Sequence, residues 1–132
     1  MADYVRTIGL VAPADRAFEC LADPANMPKY VAMMKTATPG SGDTVHVAAE
    51  VEGRHEEGDA RLQADPARRR LEWGGAGEGA YRGWLEVVEA AGGCSVTVNI
   101  HAERDSPDDE ALINRSFDET MERIKDLVEG SG

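Results

Sequence analysis

Residues Ser106–Glu129 read SPDDEALINRSFDETMERIKDLVE, and this stretch decides the fold. Ser106 is an N-cap hydroxyl, and Pro107 occupies the first helical position with no N–H to lose. Asp108 and Asp109 suit the positive end of the helix dipole. Apolar residues then recur at helical spacing: Leu112, Ile113, Phe117, Met121, Ile124, Leu127 and Val128. Asp118, Glu119, Glu122, Arg123, Lys125 and Asp126 take the opposite face, with Glu119 and Arg123 at i,i+4, and Gly130 ends the helix. At ~1.5 Å per residue such a helix spans roughly 34 Å. Its apolar stripe needs a partner surface along its whole length, and the β-rich middle of the chain is the candidate.

Upstream, Tyr4–Val11 alternates and is rich in β-formers, which predicts a strand. Pro13 starts a short helix in which Ala14, Ala17, Phe18 and Leu21 share a face. Asp23-Pro24 stops it and opens a second short helix to about Tyr30, with Asp23 as N-cap. From Met33 the period changes to two. Strands are expected over Met33–Thr38, Thr44–Glu52, Glu57–Ala64, Arg70–Trp73, Tyr81–Glu89 and Ser95–Ala102. Val45, Val47, Ala49 and Val51 share one face of their strand, and His46, Ala48, Glu50 and Glu52 the other. The order is strand, two short helices, about six more strands and a long helix. One apolar face per strand and one stripe on the last helix imply an α+β fold, a curved antiparallel sheet of about seven strands wrapped around that helix.

The chain has 132 residues, enough for one domain over 1–130 with 131–132 as a flexible tail. A net charge of −11 makes it an acidic protein without a large basic stripe, which argues against nucleic acid as a partner. No apolar run approaches the ~20 residues of a membrane span. Cys20 and Cys94 are lone thiols, which suits a reducing cytoplasm.

The segment Ala12-Pro13-Ala14-Asp15-Arg16-Ala17-Phe18-Glu19-Cys20-Leu21-Ala22-Asp23-Pro24, followed by Pro28 and Tyr30, resembles the N-terminal signature of the START-related SRPBCC superfamily. That signature is apolar-x-Ala-Pro, an aromatic and a leucine in a short helix, then Asp-Pro. The resemblance implies the helix-grip fold and the polyketide cyclase/dehydrase-like branch. The superfamily includes lipid carriers, plant allergens, aromatase/cyclases, coenzyme-Q-binding proteins and chaperone activators, so fold does not fix function. In helix-grip proteins the sheet closes tightly at one end of the helix and widens at its middle. Ile124, Leu127 and Val128 are accordingly expected to be core. Ile113, Phe117 and Met121 are expected to face a cavity with Met27, Tyr30, Val47, Leu62, Trp73, Tyr81, Leu85 and Val98. Such a cavity would hold a small hydrophobic molecule of lipid, polyketide or aromatic type, with no cofactor. The alternatives are an aromatase/cyclase-type enzyme, whose catalytic residues the sequence does not single out, or a chaperone-activator-like protein-binding module. Oligomeric state is left open.

Other motifs favour plain readings. Gly75-Ala76-Gly77-Glu78-Gly79-Ala80 fits a dinucleotide fingerprint, but a strand follows where pyrophosphate binding needs a helix, so a flexible hairpin loop is expected. Arg68-Arg69-Arg70 reads as a solvated hairpin end. Trp73, Tyr81 and Trp84 flank the glycine loop; Tyr30 and Tyr81 are the candidates for a polar contact in an apolar cavity. His46, His55 and His101 read as solvated on the outer face, with no metal site. Chelators are therefore expected to leave thermal stability and ligand binding unchanged; stoichiometric zinc or iron in untreated protein would overturn this.

Overall fold

A computed structural model describes residues 2–31, 34–51, 54–75, 82–102 and 107–130. Strand β1 (Ala2–Leu10) leads into helix α1 (Ala14–Ala22), a 3₁₀ turn (Pro24–Asn26) and the one-turn helix α2 (Met27–Tyr30). Six strands follow: β2 (Met34–Pro39), β3 (Thr44–Val51), β4 (Arg54–Asp65), β5 (Arg70–Gly75), β6 (Arg82–Ala90) and β7 (Gly93–Ala102). Helix α3 (Pro107–Gly130) completes the chain. The strands form one antiparallel sheet in the order β1-β7-β6-β5-β4-β3-β2, the helix-grip arrangement expected. Ser106 and the 131–132 segment lie outside the described residues.

Period-two alternation explains which side of the sheet meets the helices. On β1, Tyr4, Arg6, Ile8 and Leu10 stand opposite Ile100, Val98, Val96 and Cys94 of β7. The same face continues through Gly83, Leu85 and Val87 of β6, Leu71 and Trp73 of β5, and Ala60, Leu62 and Ala64 of β4. It reaches β3 at Val45 and Val47. This inner face supplies Leu71, Leu85 and Val96 to the core, where they meet Leu21 of α1 and Phe117, Ile124 and Val128 of α3. The core is mainly aliphatic, as low aromatic content requires. Helix α1 buries Ala14, Ala17, Phe18 and Leu21, the expected face. Asp23 Oδ1 accepts a 3.0 Å hydrogen bond from Ala25 N–H, so the cap exists, and it starts a 3₁₀ turn that passes into α2.

Three expectations need correction. Leu127 is only half-buried, whereas Phe117, Met121, Ile124 and Val128 are buried. At 100° per residue those four lie within a narrow arc and Leu127 falls about 80° to one side. Ala48, on the outer alternation of β3, is buried, beside a register shift of β2 between Met34 and Thr36. The arginine run is engaged rather than solvated. Arg69, at φ 50°, donates to Asp15 Oδ1 at 2.7 Å and Glu89 Oε1 at 3.1 Å, and its carbonyl accepts from Val87 N–H at 2.9 Å. Arg70 donates to Glu86 at 2.8 Å and lies 4.5 Å above the Trp84 ring.

At the far end of α3, Glu129 accepts from Val11 N–H at 2.9 Å and from Lys125 Nζ at 3.0 Å. Those bonds, the Val11 one foremost, hold its carboxyl below the usual glutamate range. Truncating the stripe should grade with burial. Ile124→Ala is expected to cost ~2–5 kcal/mol, and Leu127→Ala clearly less, as read by urea midpoints at unchanged m. Equal losses would place Leu127 in the core after all.

Candidate functional site

The inner face divides into a tightly covered half and a looser one. Helix α3 makes its close backbone approaches to β1, α1 and α2, with no comparable approach to β2 through β7 among the described residues. It is burial that divides the face: Leu85, Val87, Val96 and Val98 are buried, Val47, Leu62 and Trp73 half-buried. Beneath it, Phe117 and Met121 are buried together with Met27, Tyr30, Leu85 and Val98 in a single cluster. Leu62 and Trp73 pack half-buried against that cluster, and Val47 is half-buried on the same sheet face. Of the nine proposed lining residues that are described fully, Val47, Leu62, Trp73, Leu85 and Val98 thus share the sheet face, and two on α2 and two on α3 cover it. Tyr81 lies outside the described residues. Ile113 lies within α3, but its side chain is outside them too.

Local chemistry fixes the covering elements. Helix α1 ends with carbonyls that have no intrahelical partner. Two are met by side chains from the next elements: Tyr30 Oη donates to the Leu21 carbonyl at 2.7 Å, and Asn26 Nδ2 to that of Cys20 at 2.9 Å. Burial pushes the Tyr30 phenol well above its usual range, so it stays protonated. Tyr30 was expected to offer a polar contact to a ligand; its donor is instead committed to the α1–α2 joint. Cys20 Sγ is also shifted up, mainly by burial, and is no activated nucleophile.

Arg6 is the inner-face residue that the strand reading passed over. It follows the phase of Tyr4, Ile8 and Leu10 and so points toward α3. Its guanidinium donates to Asp118 Oδ1 at 2.9 Å and Asn114 Oδ1 at 2.8 Å, and lies 5.1 Å from the Phe117 ring centroid. A charged residue on the inward phase of an alternating strand was the available signal. Gly83 is also required here, because a Cβ would meet the Asn99 carbonyl and the Trp73 ring. Trp73 therefore lies across β6 on the inner face.

On the outer face, Glu72, Arg82, Trp84, Asn99 and His101 line an open depression of about 290 Å³, to which Trp73 and Gly83 also contribute. The two tryptophans thus serve opposite sides of the sheet. His101 was expected in solvent. Its side chain is 14% exposed, with Nδ1 2.8 Å from Asp3 Oδ1 and Nε2 buried without a hydrogen bond. His46 and His55 are on the outer face and exposed, as expected. Strand β6 follows the glycine-rich loop, so the helix N-terminus a dinucleotide site needs is missing there. No helix among the described residues is long and apolar enough to cross a membrane.

Comparison with known proteins adds the lineage. Residues 1–129 match the family described as polyketide cyclase / dehydrase and lipid transport. The di-domain ARO/CYC BexL from the BE-7585A biosynthetic pathway superposes with a TM-score of 0.78 at 20% identity, over 98% of this chain and 47% of that one. The chain therefore spans about half the length of that di-domain protein. The Zhui aromatase/cyclase from Streptomyces sp. R1128 gives 0.77 at 19% identity, covering 97% and 93%. A START superfamily protein from Mycobacterium smegmatis gives 0.73 at 14%, covering 98% and 95%. At these identities the structures establish a shared fold. No curated protein sequence matches the chain.

The Tyr30 assignment can be checked directly. Tyr30→Phe strands the buried Leu21 carbonyl and is expected to cost ~1–3 kcal/mol in urea melts. A loss of affinity for an apolar probe without that destabilisation would return the hydroxyl to the ligand.

Proposed function

The chain belongs to the polyketide cyclase/dehydrase and lipid transport family, and within it we propose a binding protein that holds a small hydrophobic molecule, of lipid, polyketide or aromatic type, between the sheet and α3. The observation that carries this is the asymmetry of the grip. Helix α3 leans on β1, α1 and α2, while Val47, Leu62 and Trp73 on the other half of the inner face remain only half-buried. Large apolar groups left partly uncovered on a concave surface favour an apolar guest, because each square ångström removed from water contributes ~25 cal/mol.

Binding is favoured over cyclase chemistry by what the inner face offers. A cyclase needs proton donors and acceptors aimed at the substrate. Among the described residues, Tyr30 is committed to Leu21 and Arg6 to Asp118 and Asn114. The lining reading keeps Met27, Tyr30, Val47, Leu62, Trp73, Tyr81, Leu85, Val98, Ile113, Phe117 and Met121 as its residues, with Tyr30 as wall rather than polar anchor.

Met121 is the diagnostic position. Met121→Trp is expected to be tolerated in urea melts and to abolish uptake of an apolar fluorescent probe that the wild type binds. In solid core the same enlargement costs ~1–3 kcal/mol through strain. Clear destabilisation together with a wild type that binds no probe would sink the proposal.

A further inference from the structure

The outer face of the β3–β4 hairpin carries side chains that neither the core nor the inner face uses. His46 on β3 stands opposite Asp59 on β4, and His55, Glu57 and Asp59 alternate onto that face. His46 Nδ1 lies 3.0 Å from Asp59 Oδ1, and its Nε2 lies 2.9 Å from Glu57 Oε1. The second oxygen of Glu57 is 2.6 Å from His55 Nε2. These contacts set a proton count. An ionised carboxylate only accepts, so both ring nitrogens of His46 must carry hydrogen for both bonds to form. A neutral ring has one N–H, and its other nitrogen would turn a lone pair toward a carboxylate oxygen. His55 makes a single such contact, which either the neutral Nε2–H tautomer or the cation satisfies.

We propose that His46, Glu57 and Asp59, with His55 steadying Glu57, form a proton-operated latch across the outer face of the β3–β4 hairpin. It is closed while His46 is an imidazolium and released when the ring loses a proton. Other charged residues adjoin it. Arg61 continues the same face of β4 opposite Thr44, and Glu50 pairs with His55 in the register. On β2, His46 faces Thr38, which does not titrate, and Lys35 sits at the register shift.

Hydrogen bonds donated to Glu57 first and Asp59 second hold His46 above the usual imidazole value. Those from His46 and His55 hold Glu57 below the usual glutamate range. The raised histidine contributes stability that is complete below its unfolded value of about 6.5 and is lost as pH rises through the folded one. The depressed glutamate contributes stability above its unfolded value and loses it as pH falls through the folded one. The latch is therefore closed at weakly acid pH and opens on the alkaline side. All its groups are solvent-exposed, so salt weakens it.

Val47 and Ala60 adjoin His46 and Asp59 with side chains on the opposite, inner face. Opening the latch consequently loosens the wall bearing Val47 and Leu62. This last link rests on the proposed ligand space; the latch does not.

The test is an NMR titration of the histidine ring nitrogens in low salt for the wild type, Glu57→Gln and Asp59→Asn, with amide exchange of the hairpin. The His46 midpoint should lie higher in the wild type than in either variant. Protection of β3–β4 amides, corrected for intrinsic rates, should fall roughly two-fold or more from about pH 6 to about pH 9, with no such step in His46→Gln. Coincident midpoints, or protection without a step in the wild type, would overturn the latch. A wild type that binds no apolar probe at any pH would overturn the ligand space instead, because the ring resonances report the latch by themselves.

Discussion

Burial of one apolar stripe on α3 against one face of a seven-stranded sheet is the contact on which the rest of this structure depends. Neither partner is stable alone: an isolated helix with so many acids has little to hold it, and a sheet with one apolar face must be covered. Phe117, Met121, Ile124 and Val128 supply the helix side, and Leu71, Leu85, Val96 and Val98 the sheet side. Polar contacts then set position. Arg6 grips Asn114 and Asp118 from the edge strand, and Glu129 takes the Val11 N–H at the other end. These directional bonds fix the helix near its middle and near its end, and non-directional packing acts between them.

Both of these polar anchors lie on one side. Arg6 and Val11 both belong to the β1 side of the sheet, whereas α1 packs on β6 and β7 and α2 reaches β2 at the other edge. Leu71 of β5 and Val45 of β3 are buried, while Val47 on β3, Leu62 on β4 and Trp73 on β5 are only half-covered. Small residues such as Ala60 and Gly58 on that part of the inner face add little volume of their own.

Element order and inward phase were legible because they depend on periodicity. The face of α1 and the Asp23 cap were readable from spacing and local chemistry alone. What escaped the sequence depends on partners distant in the chain. Leu127 looks like part of the stripe until the direction of the sheet is known. Tyr30 looks like a ligand contact until the end of α1 is placed above it. His101 becomes covered only because β1 returns to pair with β7 and brings Asp3 beside it. Arg6 is different: its phase was readable, and its inward charge was a signal missed. For Tyr81 and Ile113 the lining assignment remains the proposal made from the sequence.

The pairing of β1 with β7 also bears on how the chain reaches this state. Every other strand pair joins neighbours in sequence, so β2 to β7 can assemble hairpin by hairpin with short loops to close. Thr7, by contrast, finds its partner in Thr97, and Arg6 finds Asn114 and Asp118 later still. Closing loops of that size costs conformational entropy before any contact repays it. During synthesis the first strand emerges long before its partner β7, and its apolar residues Tyr4, Ile8 and Leu10 have no sheet to join. The same edge that anchors the finished grip is thus the last to gain its neighbour, and the interval before β7 appears is when this chain is most exposed to wrong associations.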